Sequence, residues 1–199
     1  KATNGGTVPS GQTTVQDLTT LTAGNYKVTL TDSNGCKLSD SITLTQPSAA
    51  LSSSKSQLNV KCYGNASGSI DLSVSGGTSG YAYSWTASGG GSIPSGQTNN
   101  QDLTELKAGT YSVTVTDANA CTTTNSATIT QPSSGLSLSK SQVNIKCYGN
   151  ATGSVDITLS GGTKLFTYNW TATSGGAVPS GQSSVQDLTT LTKGTYTVT

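Results

Sequence analysis

No histidine occurs among the 199 residues, and only 10% of them are charged. The first absence removes the one side chain that titrates near neutral pH, so Ser/His/Asp and Cys/His nucleophile arrangements have no base. The second leaves a net charge of +1 with no cluster of Lys or Arg. The chain therefore lacks the electrostatic footprint that nucleic acid or an anionic membrane would require. No apolar run approaches the roughly 20 residues of a membrane span. No signal peptide is present either, an absence that decides nothing about export. The four cysteines include no CxxC pair, which argues against zinc and thiol redox chemistry. It favours a disulfide framework in an oxidising, extracellular setting.

What the sequence has in place of these is a repeated text. Tyr26, Tyr111 and Tyr196 are 85 residues apart (111 − 26 and 196 − 111), as are Pro9, Pro94 and Pro179, Cys36 and Cys121, Cys62 and Cys147, and Trp85 and Trp170. One period governs the chain, and it divides into the end of one repeat (1–47), a complete repeat (48–132) and the start of the next (133–199). This reads as a window on a longer array. A unit of 85 residues exceeds the roughly 40 below which a chain usually needs a staple, so each copy can own a core. "TQPS" at Thr45–Ser48 and Thr130–Ser133 punctuates the copies, since proline stiffens a link and cannot feed a central strand.

Inside the complete repeat the hydrophobic pattern alternates with period two. Ile70, Leu72 and Val74 alternate with Asp71 and Ser73; Tyr81, Tyr83 and Trp85 with Ala82 and Ser84; Tyr111, Val113 and Val115 with Ser112 and Thr114. Each run reads as a half-buried strand, and Gly-, Asn- and Asp-rich turns separate them. Seven strands are predicted, over 56–61, 69–75, 81–86, a weak 92–93, 102–106, 111–116 and 123–130. With a tryptophan on the third, they suggest an all-β, immunoglobulin-like or PKD-like sandwich of two antiparallel sheets, repeated head to tail. Trp85 and Trp170 are expected in the cores. Tyr26, Tyr111 and Tyr196 are expected at the corner before the sixth strand, with the hydroxyl tied back to backbone.

The run "CYGNASGSIDLSVSGGT" (Cys62–Thr78), then "YAYSW" (Tyr81–Trp85), "DLTEL" (Asp102–Leu106), "AGTYSVTVTDANAC" (Ala108–Cys121) and "ATITQP" (Ala127–Pro132) resembles the SprB repeat family. That family occurs in very large surface adhesins of gliding and other Bacteroidota. The chain departs from the family after "GGT", with Ser79 and Gly80 in one copy and Lys164 and Leu165 in the next, and in a long segment from Thr86 to Asn100. The resemblance implies a secreted, multi-repeat filament at the cell surface, of the kind used in gliding motility and adhesion. In it the repeats form a stalk that extends a distal binding region, and each repeat's first partners are its neighbours in the same chain.

The cysteines Cys36, Cys62, Cys121 and Cys147 are structural disulfide candidates. If strands alternate up and down, Cys62 closes the first strand at one end of the repeat and Cys121 closes the sixth-to-seventh turn at the other. A strand of about eight residues spans roughly 26 Å, whereas a disulfide needs Cα atoms within about 4.4–6.8 Å. The preferred reading is a bond between Cys62 and the sixth-to-seventh-turn cysteine of a neighbouring repeat. An intra-repeat Cys62–Cys121 bond remains the alternative, and would require different strand directions.

No catalytic residue, cofactor or metal site is predicted. Asp71, Asp102 and Asp117 recur at the repeat spacing and read as turn or surface residues rather than an active site. "DSNG" (Asp32–Gly35) and "DANA" (Asp117–Ala120) place Asp two residues before Asn, as oxygen-donor loops do. They lack the closing Glu of a 12-residue calcium loop and read as Asx turns. Tyr63 and Tyr148, in a turn beside a cysteine, are the rings expected at the surface, with packing between repeats their simplest use. Ice binding by outward threonines on the sixth strand fails because Ser112 interrupts the row. Asn65, Asn150 and Asn169 begin N-x-S/T sequons, of which Asn169 sits on a strand. The alternative to a stalk is a set of repeats that bind surface glycans, other cell-surface proteins or calcium weakly and multivalently.

Overall fold

The computed structural model describes every residue from Lys1 to Thr199, and its regular structure is β-strand throughout, with no helix. The first stretch holds β1 (Ala2–Thr3), β2 (Gly24–Thr31) and β3 (Lys37–Leu44), paired in that order. The middle stretch holds β4 (Ser52–Leu58), β5 (Gly68–Ser75), β6 (Ala82–Ser88), β7 (Leu103–Leu106), β8 (Gly109–Thr116) and β9 (Thr122–Ile129). The last holds β10 (Ser137–Val143), β11 (Gly153–Ser160), β12 (Trp170–Thr173), β13 (Leu188–Leu191) and β14 (Thr195–Val198). Every sheet draws its strands from one stretch only, and we call the three stretches units.

The middle unit packs sheet β4-β5-β7 against sheet β6-β8-β9, all pairs antiparallel. The alternation seen in the sequence sets which side chains face inward. Ile70 and Leu72 of β5, Trp85 of β6, Leu103 and Leu106 of β7, Tyr111, Val113 and Val115 of β8, and Ala127 and Ile129 of β9 form one buried cluster with Val60. The outward face of β6-β8-β9 is almost wholly hydroxyl: Ser84, Thr86 and Ser88 stand in register with Thr114, Ser112 and Thr110, and these with Thr124, Ser126 and Thr128.

Two strand expectations are corrected. The first strand is Ser52–Leu58, four residues earlier than the predicted 56–61. Its text, Ser-Ser-Ser-Lys-Ser-Gln-Leu, carries no alternation to read, and its place is set by register with β5 and by bonds to β9. The Gln57 amide donates to Thr128 O at 2.6 Å and the Asn125 amide to Ser53 O at 3.1 Å. Beyond it, Val60 N–H reaches Thr130 O at 2.9 Å. The predicted fourth strand at 92–93 is not a strand.

In its place residues 89–102 form a long loop that runs from the end of β6 down the side of the sandwich to the start of β7. Backbone bonds fold it on itself, Gln97 N–H to Pro94 O and Asn100 N–H to Gln97 O, both 3.1 Å, and it meets β6 through Trp85 N–H to Thr98 O at 3.0 Å. The loop supplies the descending pass a fourth strand would have made. Consequently β4 starts at one pole of the unit (Ser52 opposite Ser75) and β9 ends at the other (Ile129 opposite Gly109). The chain enters and leaves the middle unit at opposite ends.

Candidate functional site at the poles of the units

Four recurrent devices fix the middle unit. The first is the corner expected of Tyr111: its hydroxyl donates to Lys107 O at 2.8 Å and its ring is fully buried. A Cβ at Gly91 would lie 2.9 Å from that ring, so this position must be glycine for the ring to seat. Burial pushes the phenol pKa up, against the opposing backbone bonds with Ser92 and Lys107. Tyr26 repeats the corner with Thr22 O at 2.6 Å and Tyr196 with Thr192 O at 2.8 Å.

The second device was not foreseen from the sequence. Gln101 donates its amide to Leu72 O at 2.6 Å while Leu72 N–H donates to an Asp102 carboxylate oxygen at 2.9 Å. Two side chains thus satisfy the backbone of Leu72 on β5 just past the point where β7 stops pairing with it, the last pair being Ile70 with Leu103. A second glutamine, Gln97, accepts from Thr104 N–H at 2.9 Å. The same bonds recur with Gln186 and Asp187 on Ile157, and with Gln182 and Thr189. The signal was on the page: Gln12, Gln97 and Gln182 keep the 85-residue spacing, as do Gln16, Gln101 and Gln186. Trp85 belongs to the same clasp, its indole N–H donating to Asn100 O at 2.8 Å, as Trp170 does to Val185 O at 3.0 Å.

The third device sits at the lower pole. Asp117 is buried in the β8–β9 turn and accepts from Thr78 N–H at 2.9 Å, Asn119 N–H at 2.9 Å and Cys121 N–H at 2.8 Å. The Asn119 amide meets Thr78 Oγ1 at 2.8 Å. The "DANA" sequence is therefore an Asx turn locked onto the β5–β6 turn, with both carboxylate oxygens turned to its own backbone. Gly77 in that turn has φ +61°, and a Cβ there would come within 2.7 Å of the Asp117 carboxylate. Asp32 repeats the turn, accepting from Asn34 and Cys36 N–H at 2.9 and 2.7 Å.

These bonds, Thr78 first, hold the Asp117 carboxyl below the usual carboxylate range although burial works the other way. A folded pKa below the unfolded value of about 3.9 gives a contribution that is complete above that value and is lost as pH falls through the folded pKa. Thermal melts followed by circular dichroism are expected to show the wild type losing stability steeply below about pH 4. Asp117→Asn should start lower at neutral pH and decline less steeply in acid. Parallel acid curves for the two proteins would remove Asp117 from this role.

The fourth device is at the upper pole. Residues 61–67 turn between β4 and β5, with Asn65 N–H to Cys62 O at 3.1 Å. Gly64 N–H in that turn donates to the side chain of Gln131, in the link to the next unit, at 2.8 Å. The Tyr63 ring lies 3.9 Å from where a Cβ would stand on Gly135, three residues past Pro132. Tyr63 is 52% exposed, whereas Tyr148, its equivalent in the last unit, is 107% exposed. The start of the following unit touches the Tyr63 ring, and both rings stay exposed, as the sequence placed them.

All four cysteines are exposed and unpaired within Lys1–Thr199. Cys62 is at the upper pole beside Tyr63, and Cys121 at the lower pole beside Asp117. They are separated by the length of β8, eight residues or roughly 26 Å. The intra-repeat Cys62–Cys121 bond is thus incompatible with the fold.

No three His, Cys, Asp or Glu side chains converge as a metal-binding group, and no helix is long and apolar enough to cross a membrane. No curated protein and no solved structure matches the chain. The profile of the SprB repeat, a structural repeat of cell-surface proteins, matches residues 54–90 and 139–175. The two matches are themselves offset by 85 (139 − 54 and 175 − 90), the spacing of the tyrosine corners and of the glutamine clasps. The chain thus carries two matches to the SprB repeat, one in the second unit and one in the third.

Proposed function

We propose that the chain is part of the stalk of a secreted cell-surface adhesin, a filament of independently cored units that holds a distal binding region away from the cell and carries tension. The observation that carries this reading is the polarity of the middle unit. The chain enters at the Ser52 pole and leaves at the Ile129 pole, and the exit is pinned by Gly64 to Gln131 and touched by Tyr63 at Gly135. Each unit then adds its own length, and neighbouring units of the same chain are its first partners. Adhesion in gliding is the setting this family suggests.

Small-angle scattering tests the geometry. Three units of about 26 Å each, end to end, make a rod of roughly 80 Å with a radius of gyration near 23 Å. A compact globule of this length has about 16 Å. A value near 16 Å would overturn the stalk.

A second reading is favoured by the hydroxyl face of β6-β8-β9: weak, multivalent binding of surface glycans, with other cell-surface proteins or calcium as the remaining ligands of that kind. The full chain on glycan-coated surfaces, with and without calcium, separates the readings. The stalk predicts no retention in either condition; retention would favour the second.

A further inference from the structure

Two cysteine positions recur in each unit, and the fold puts them at opposite poles. The lower-pole cysteine closes the β8–β9 turn, and that turn is anchored beside the start of its own unit. Asp117 bonds Thr78 N–H at 2.9 Å, and a Cβ on neighbouring Gly77 would touch both the Asp117 carboxylate, at 2.7 Å, and Leu51, at 3.1 Å. The start of the last unit repeats this packing, with a Cβ on Gly162 lying 3.4 Å from Leu136. The residue before Leu136 is Gly135, the one that the Tyr63 ring approaches, 3.9 Å from where its Cβ would stand. The upper-pole turn holding Cys62 thus lies against the patch where a following unit seats its own β8–β9 turn and cysteine.

We infer that consecutive units are joined by a disulfide between the β4–β5-turn cysteine of one, here Cys62, and the β8–β9-turn cysteine of the unit that follows. The inference rests on the end-to-end reading above. The register also accounts for the four free thiols. The partner of each lies 144 residues away (85 plus the 59 that separate Cys62 from Cys121), and no two of Cys36, Cys62, Cys121 and Cys147 have that separation. The bond forms by exchange with a small-molecule disulfide. One cysteine thiolate attacks it and releases the first small thiolate. The second cysteine thiolate then attacks the mixed disulfide and releases the other. The two cysteines lose two electrons and two protons, and the small disulfide becomes two thiols.

The test lengthens the chain past Thr199, the equivalent of Thr114, with the sequence of Val115–Pro132, which completes the last unit and supplies its β8–β9-turn cysteine. After equilibration with oxidised and reduced glutathione, peptide mapping is expected to find Cys62 bonded to the added cysteine. Reactive thiols should fall from five to three, and Cys62→Ser should leave the added cysteine free. A bond from the added cysteine to Cys147, or five free thiols in a folded protein, overturns the inference. Should the extension not fold, Gly135→Cys in the 199-residue chain decides the proximity. A short bismaleimide should link it to Cys62, and failure to do so also overturns the inference. Scattering of the reduced protein keeps the two proposals apart. An extended form without the bond leaves the stalk standing unstapled, and a compact form removes both.

Discussion

Trp85→Ala is expected to destabilise the middle unit by about 3–5 kcal/mol, the range for deleting a large aromatic from a packed core. The indole is 3% exposed and sits in one cluster with Ile70, Leu72, Leu103, Tyr111 and Val113. Its loss also frees Asn100 O from the indole N–H, so the loop over 89–102 loses one of its hydrogen-bond ties to β6. The variant should therefore show two signatures. Chemical denaturation should give the lower midpoint, and hydrogen exchange should show faster opening at the amides of residues 97–104 than at those of β8 and β9. Uniform acceleration over the whole unit would mean that the tryptophan only fills space and does not hold the loop. Trp85→Phe, which restores most of the volume without the donor, separates the two contributions.

Tyr111→Phe is expected to cost about 1–3 kcal/mol, because it leaves Lys107 O without its 2.8 Å partner at a buried corner. The ring and its contacts remain, so the loss measures the hydroxyl alone. Denaturant midpoints of the variant and the wild type check it. The corresponding change at Tyr196, whose corner lies in a more exposed setting, should cost less. Equal costs at the two positions would argue that the corner bond is not what decides them.

Much of this fold was legible because β-structure writes itself into sequence with period two. The runs around Ile70, Trp85 and Tyr111 each became a strand whose inward residues are the core. Legibility ended where side chains replace backbone. The strand expected at 92–93 is a loop held by Gln97, Gln101 and Asp102, and a polar side chain that imitates a strand leaves no alternation behind. β4 was misplaced for the same reason. Its positions Ser53, Lys55 and Gln57, opposite Val74, Leu72 and Ile70, are polar because the strand is the edge of its sheet, where Lys55 and Gln57 stay exposed and Gln57 bonds β9. The exposed charge of Lys55 also discourages that edge from accepting a foreign strand. The pole devices were half visible: the cysteine, Asp117 and exposed Tyr63 positions could be read, but the contact of Tyr63 with Gly135 belongs to the assembly of units and not to any one of them.

The same arrangement decides how a unit meets a pulling force. β4 and β9 run in one direction side by side, and tension applied along the chain draws the start of β4 and the end of β9 apart. The bonds between them, Gln57 to Thr128, Asn125 to Ser53 and Val60 to Thr130, then lie across the axis of pull and are strained together in shear instead of being unzipped one after another. Under the proposed stalk role, a unit tied in this way is expected to yield abruptly and late.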